Sequence, residues 1–260
     1  MVTHVAVCGD SFGTGHGLPD STCYEDNFSG VFAARYNLRQ RVYARSGCCN
    51  FTIYLQIKKI IEQARYDSTY KPFVLVTSTF HERLIFPIDD GTIPQPPDLS
   101  QVEYMSYGPY HLKGNTKPRK MEFSLNKEAR LVTETISNIE HYQSGKAPGI
   151  ARLFSKVHAD KFAAIKSYYN ELFDSGIKQE YDNALYMTAH CELIKYNIPH
   201  VIMMGYPDAM FAGNPHFMAN HWGYYTTLHP DALGSGHCNE EGNRLVGEAV
   251  IAHVDEFSLI

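Results

Sequence analysis

The chain has 260 residues, of which 44% are hydrophobic and 20% are charged, and its formal net charge is −5. A hydrophobic fraction of this size supports a folded core and argues against a disordered chain. The acidic balance, with only a short basic run at Lys117–Lys120, excludes nucleic acid as the expected main partner. This length favours one domain that spans residues 1–260.

The first residues enter a strand-like segment directly, without the basic stretch, apolar stretch and small-residue cleavage site of a secretory signal. The longest apolar runs are too short to cross a bilayer as a helix, so we expect no membrane span. The cysteines show no CxxC pair and no regular spacing: Cys8, Cys23, Cys48, Cys49, Cys191 and Cys238. The sequence therefore predicts free thiols and synthesis in a reducing cytoplasm.

The first half of the chain alternates between strand and helix patterns. The first predicted strand is Val5–Cys8, a short apolar run that ends abruptly in Gly9-Asp10-Ser11. The elements that follow are a helix over 27–36, a strand at Val42–Ala44 before Ser46-Gly47, a helix over about 50–64, and a strand at Phe73–Val76 before Thr77-Ser78-Thr79. Strands alternating with helices predict a parallel sheet with helices on both faces.

From Pro87 to about Gly149 the pattern loosens into Pro- and Gly-rich loops, with one predicted helix over about 125–142. Two more helices are predicted over about 151–174 and 178–196, joined at Ser175-Gly176. A fourth strand at His200–Met204 and a last helix over about 239–255 complete the pattern. The alternation of strand and helix therefore resumes after the long middle segment.

Small or polar residues follow each predicted strand: Gly9-Asp10-Ser11, Ser46-Gly47, Thr77-Ser78-Thr79 and Gly205-Tyr206-Pro207-Asp208. In an open parallel sheet these ends meet at one edge, where ligands bind. A serine on such a turn, facing the positive end of the next helix, is placed for nucleophilic attack but needs a base. The candidate base is His237, just ahead of the last helix.

Two sequence blocks resemble those of a known family. Gly9-Asp10-Ser11-Phe12 after the first strand, and Gly236-His237-Cys238-Asn239-Glu240-Glu241-Gly242 before the final helix, resemble the first and last blocks of the SGNH (GDSL-like) hydrolase superfamily. Their order, separation and α/β context also match, so the resemblance covers the chain apart from the middle segment. It implies a three-layer α/β/α fold with a flavodoxin-like parallel sheet and a long loop and helical insertion at about 87–150, after the third strand. It also implies hydrolysis of esters, often of acetylated sugars or lipids.

The resemblance assigns roles by position. Ser11 corresponds to the nucleophile and His237 to the general base. The backbone N–H groups of Ser11 and Gly47 correspond to two donors of the oxyanion hole, which stabilise the negative charge that develops on the substrate carbonyl oxygen. Asp10 adjoins the nucleophile, and we expect it to shape the turn and border the substrate.

The sequence departs from the family at two positions. Thr79 stands where the Asn of the oxyanion hole is expected, so its hydroxyl would donate from a different place; His81 and Arg83 nearby are candidates to rebuild that wall and contact substrate. Gly234 stands where the acid is expected, three residues before the histidine. Asp231 is the candidate acid, and the alternative is a Ser–His dyad oriented by a backbone carbonyl.

Simpler structural roles remain open for several of these residues. Ser11 has the chemistry of a helix N-cap, and Gly47 that of a turn glycine. Three other histidines, His216, His221 and His229, lack a ligand spacing such as His-x-x-x-His and an accompanying carboxylate. The sequence therefore predicts no metal site and no cofactor.

Two functions follow from this interpretation. The first is a serine esterase that uses Ser11 and His237 on a small ester or an acylated glycan, such as a carbohydrate O-acetyl group. The second is a catalytically degenerate SGNH domain with a binding or structural role, motivated by the two departures and the long insertion. The divergent blocks also resemble SGNH-like proteins of tailed bacteriophages, for which the protein would belong to the virion. An oligomer or larger assembly is compatible with either function.

Overall fold

A computed structural model describes residues 1–15, 18, 24–44, 48–81, 83–87, 131–134, 164, 167–168, 170–205, 209–219, 233–234 and 237–260. Its strands in chain order are β1 (His4–Cys8), β2 (Arg39–Val42), β3 (Pro72–Thr77), β4 (Leu84–Pro87), β5 (Leu131–Glu134), β6 (His200–Met204), β7 (Phe217–Ala219), β8 (Leu233–Gly234) and β9 (His237–Cys238). Its helices are α1 (Phe28–Tyr36), α2 (Asn50–Tyr66), α3 (Ser175–Lys195) and α4 (Glu240–Phe257). None of these helices is both long enough and apolar enough to cross a membrane.

A five-stranded parallel sheet in the order β2-β1-β3-β6-β7 forms the middle layer. The chain first builds outward from β1 to β2, then crosses back to β3 and continues to the other edge. This is the flavodoxin-like order, and its direction of winding reverses between β1 and β3. Every residue of β1, β3 and β6 is buried, as expected for central strands covered on both faces.

Each face of the sheet packs against two helices. On one face, α1 and α4 bury Phe28, Phe32, Val246 and Val250 against the sheet. On the other face, α2 and α3 contribute a separate cluster that includes Ile53, Ile57, Ile60, Tyr186 and Leu193. The result is a three-layer α/β/α arrangement, so the predicted fold class is confirmed.

Three predicted elements differ from the structure. The second strand is Arg39–Val42 rather than Val42–Ala44; as an edge strand it exposes Arg39 and Arg41 and lacks an apolar run. The helix predicted over 125–142 is wrong at residues 131–134, which pair antiparallel with β4, because strand pairing overrides local helix preference there. The break predicted at Ser175-Gly176 lies at residues 172–174 instead, because Asp174 caps α3 by accepting a hydrogen bond from the backbone N–H of Ile177 at 2.8 Å.

The contact between α1 and α4 depends on a glycine. A Cβ atom at Gly247 of α4 would lie 2.8 Å from Val31 Cβ and 2.9 Å from the Phe28 carbonyl oxygen of α1. Both distances are shorter than van der Waals contact, and one of the atoms belongs to the backbone. Gly247 therefore permits the two helices to approach this closely.

We expect Gly247→Ala to lower the free energy of unfolding by about 1–3 kcal/mol, because α1 and α4 must separate to admit the methyl group. Gly176→Ala is the matched control, since Gly176 lies in the first turn of α3 and its nearest neighbour is a side-chain oxygen at 3.2 Å. Alanine is the better helix former, so the control should be neutral or slightly stabilising. Urea unfolding of both variants measures the difference, and equal stabilities would contradict the packing argument.

Candidate active site

Ser11 and His237 meet beside the carboxyl end of β1. The Ser11 hydroxyl oxygen lies 2.8 Å from His237 Nε2, a hydrogen-bond distance. Ser11 is 6% exposed and His237 is half-buried. With the Nε2 lone pair facing the hydroxyl, the serine donates and the imidazole accepts, which is the geometry in which a histidine activates a serine.

The approach of β1 to β3 determines where Ser11 lies. A Cβ atom at Gly9 would lie 1.9 Å from Thr77 Oγ1 at the end of β3, so only glycine fits there. The buried Gln56 side chain holds the same residue from α2: it accepts from the Gly9 N–H at 2.8 Å and donates to the Gly9 carbonyl at 3.2 Å. The residue two positions before Ser11 is thus fixed from two sides.

The turn that carries Ser11 is stabilised by Asp10. Its Oδ1 accepts from the Phe12 N–H at 3.0 Å, and its carbonyl accepts from the Thr14 N–H at 3.2 Å. Residues 11–15 form turns rather than the helix expected after Ser11, and the capping-type bond comes from Asp10. The Ser11 hydroxyl instead faces His237.

His237 is held by the start of α4 and by a short strand pair. Gly234 and His237 are directly paired across the antiparallel β8–β9 bridge. Asn239 caps α4 by accepting from the Gly242 N–H at 2.9 Å. The Phe12 ring packs against the imidazole, with ring centroids 5.0 Å apart. Gly234, the position at which the sequence resemblance led us to expect an acid, therefore lies directly opposite His237.

Cys238 follows His237 but does not compete as a nucleophile. Its side chain is buried, and burial raises the pKa of its thiol to about 12. The thiolate is the reactive form of cysteine, and it is scarcely populated at neutral pH when the pKa is so high. The side chain that His237 contacts is the Ser11 hydroxyl.

A buried carboxylate connects the Ser11 turn to the segment after β3. Asp10, which is fully buried, accepts through Oδ2 from Thr79 Oγ1 at 2.7 Å and from Arg83 Nη1 at 2.6 Å. The same guanidinium nitrogen donates to Thr79 Oγ1 at 2.7 Å and to the Cys48 carbonyl at 3.3 Å. Arg83 thereby neutralises Asp10, which a buried carboxylate requires.

This arrangement occupies the Thr79 hydroxyl. A hydroxyl has one hydrogen, and that of Thr79 points to Asp10. Its role as an oxyanion donor stays a prediction, one that needs the hydroxyl to turn away from Asp10. Likewise, Arg83 Nη1 and His81 Nδ1 are bonded to carboxylates inside the protein, and contact of these two side chains with substrate stays a prediction.

A second buried network supports Thr79 from α2 and α3. Asn50 accepts from the Thr79 N–H at 2.8 Å and donates to the Thr79 carbonyl at 3.1 Å. Asp182 of α3 accepts from Asn50 at 2.7 Å, lies 2.8 Å from His81 Nδ1, and pairs with Lys178. The backbone after β3 is therefore held by α2 and α3, the two helices that cover one face of the sheet.

Sequence reasoning missed Asn50 and Asp182. Asn50 begins α2 and has the sequence signature of an ordinary cap. Asp182 falls on the buried stripe of α3 that continues with Tyr186, Ala189 and Leu193, and a carboxylate on an apolar stripe is a signal that was available. The predicted residues Gly47 and Asp231, together with His221 and His229, lie outside the described residues.

The fold and the site together define a class: a three-layer α/β protein with a hydrogen-bonded serine–histidine pair at the edge of its parallel sheet where ligands bind. No protein-family model matches the chain, and no curated protein sequence matches it. Among solved structures, the lipase Lip_vut3 from a goat rumen metagenome aligns over 97% of both chains, with a TM-score of 0.46 and 10% identity. A similarity of this degree assigns no activity to the chain.

We expect Arg83→Met to destabilise the protein by about 3 kcal/mol or more, because it leaves the buried Asp10 carboxylate without a counter-charge. Combining it with Asp10→Asn should recover part of that loss, and a double-mutant cycle in urea measures the coupling. The exposed pair Arg35–Asp255, at 3.4 Å, is the control and should show no resolvable coupling. Additive effects of Arg83→Met and Asp10→Asn would contradict the assigned ion pair.

Proposed function

We propose that this chain is an SGNH-type serine ester hydrolase in which Ser11 is the nucleophile and His237 the general base. The observation that carries the proposal is the 2.8 Å contact between the Ser11 hydroxyl and His237 Nε2. In support, the pair lies at the carboxyl end of β1, where the direction of winding reverses between β1 and β3, which is where open parallel sheets bind ligands. The resemblance of the flanking sequence blocks adds independent support.

In this mechanism His237 takes the proton of Ser11 as the serine oxygen attacks the ester carbonyl. The resulting tetrahedral intermediate collapses as His237 protonates the leaving alcohol, which leaves an acyl group on Ser11. Water, deprotonated by His237, then releases the acid and restores the hydroxyl. The proton of Ser11 leaves with the alcohol and a proton from water replaces it, so the cycle regenerates Ser11 and His237 and needs no cofactor.

The negative charge on the carbonyl oxygen requires donors. The backbone N–H of Ser11 makes no hydrogen bond to another described residue and is therefore proposed as one donor, with the N–H of Gly47 as the second. Asp231 is proposed to orient His237, and a backbone carbonyl is the alternative. Both Gly47 and Asp231 belong to the part of the proposal that rests on the family resemblance.

The proposed substrate is a small acyl ester, with an O-acetyl group on a carbohydrate as the specific candidate. The substrate class rests on the resemblance. The burial of Ser11 favours a small acyl group, because a serine residue that is only 6% exposed leaves little room around its hydroxyl.

A second function is favoured by one specific observation. The Thr79 hydroxyl is bonded to Asp10, and Gly234 stands opposite His237, so two of the family's polar groups are replaced or engaged elsewhere. A degenerate SGNH domain that binds an acylated glycan, or serves a structural role in a virion, would retain the fold under these conditions. The two functions differ in whether Ser11 is reactive.

We expect Ser11→Ala to lower the hydrolysis rate of p-nitrophenyl acetate by about a thousandfold or more, because it removes the nucleophile. His237→Asn should cause a loss of similar size. Ser29→Ala is the matched control. Ser29 of α1 is also a buried serine, but its hydroxyl accepts a hydrogen bond from Gln40 of β2, so the variant should keep the wild-type rate. Wild-type hydrolysis by Ser11→Ala would disprove the nucleophile assignment.

A fluorophosphonate probe separates the two functions. The esterase proposal expects covalent labelling of the wild-type protein at Ser11, slower labelling of His237→Asn, and none of Ser11→Ala. A folded wild-type protein that resists the probe, as checked by circular dichroism, supports the degenerate domain instead.

A further inference from the structure

Three histidines come together at the end of the sheet away from Ser11. His190 belongs to α3, His200 opens β6, and His216 immediately precedes β7. One ring nitrogen from each lies within 4.8 Å of the other two. His200 is fully buried, while the other two rings are half-buried and reach solvent. Because Ser11 follows the carboxyl end of β1, this cluster is separate from the candidate active site.

Backbone carbonyls determine the orientation of two of the rings. His200 Nδ1 lies 2.9 Å from the Ile198 carbonyl, and His216 Nδ1 lies 3.0 Å from the His200 carbonyl. A carbonyl can only accept, so both Nδ1 atoms carry hydrogens and both Nε2 atoms carry lone pairs. An N–H bonded to a backbone carbonyl, with the other nitrogen free to ligate, is the usual state of a histidine that binds a metal.

The third ring completes the group. His190 Nδ1 lies 2.9 Å from His200 Nε2, so in the absence of metal one hydrogen lies between them, donated by His190. On metal binding that hydrogen would move to His190 Nε2, the other tautomer of the neutral ring, and the ion would accept a lone pair from each ring. Among the described residues, the group contains no carboxylate or thiol. Neutral imidazoles alone suit Zn²⁺, Cu²⁺ and Ni²⁺ rather than Ca²⁺ or Mg²⁺.

We propose that His190, His200 and His216 form a binding site for a divalent transition metal ion of the Zn²⁺ type, with water as the remaining ligand. Nitrogens around tetrahedral zinc lie about 3.3 Å apart, given Zn–N bonds of about 2.0–2.1 Å. The present spacing of up to 4.8 Å closes to this value through rotation of the two half-buried rings.

The site would stabilise the edge of the five-stranded sheet that is formed by its shortest strand, β7. Strand β7 has three residues and pairs only with β6 among the described strands, so its attachment is short. The proposed ligands come from α3, from β6 and from the residue before β7. An ion bound to all three would connect the edge strand to its neighbour and to the helix above it. Metal binding should therefore raise the melting temperature.

The test uses the full chain without a histidine tag, stripped of metal by a chelator. We expect calorimetric titration with Zn²⁺ to give one site per chain, and Co²⁺ to give the visible absorption of a tetrahedral complex. At a hundredfold excess of free Zn²⁺ over Kd, the melting temperature should rise by about 5–10 °C.

Variants assign the site among the 13 histidines of the chain. His190→Gln and His216→Gln should each weaken Zn²⁺ binding by at least about tenfold and abolish the Co²⁺ absorption. His253→Gln is the matched control, because His253 bonds the Pro215 carbonyl at 2.7 Å beside the cluster but is not one of its members. It should bind like the wild-type protein.

Two results would overturn the proposal: the absence of a one-to-one site, or unchanged affinity in either His190→Gln or His216→Gln. Circular dichroism of the metal-free variants shows whether each is folded. His190 and His216 are half-buried, so we expect glutamine to be tolerated at both positions, and one folded variant is enough for the test. Repeating the titration on Ser11→Ala should give the wild-type affinity, so the result is independent of esterase activity.

Discussion

The buried carboxylate of Asp10 is the group on which the candidate site depends. One oxygen holds the turn that presents Ser11, through the Phe12 N–H, and the other receives Thr79 and Arg83 from the segment after β3. A buried charge is tolerated only when it is neutralised and fully bonded, so these partners must adopt this arrangement together. The carboxyl ends of β1 and β3 are thereby joined by polar contacts at the point where the sheet changes its direction of winding.

The surroundings of this carboxylate extend the same constraint to the helices. Asn50 forms hydrogen bonds with both backbone groups of Thr79 and also donates one to Asp182 on α3. Tyr186, one turn further along that helix, donates to Asn50 at 2.6 Å, and its burial raises the pKa of the phenol well above its usual range. The phenol therefore remains a hydrogen donor at every physiological pH. The polar residues near Ser11 therefore come from the turn after β1, the segment after β3, and helices α2 and α3, and they are joined by hydrogen bonds.

The sequence predicts the central sheet and the reactive pair well, for separate reasons. The strands β1, β3 and β6 are buried on both faces and so are continuous apolar runs. The edge strand β2 is polar, and the sequence therefore predicted it about three residues too late in the chain. Ser11 and His237 were found because each lies in a recognisable block. The bond between Asp10 and Arg83 has no such signature, since it joins two loops whose spacing depends on the fold. The histidine cluster was missed for the same reason: parallel pairing of β6 and β7 brings His200 and His216 together, and His190 joins them only when α3 packs on the sheet.

The serine and histidine of the pair are 226 positions apart along the polypeptide. A ribosome therefore produces Ser11 well before His237, and helix α4, which directly follows His237, packs on α1, which is made long before it. The Ser11 hydroxyl has no imidazole beside it until α4 docks on α1. The contact between Ser11 and His237 is in this sense a marker that α4 has docked, and a chain truncated before His237 would lack it.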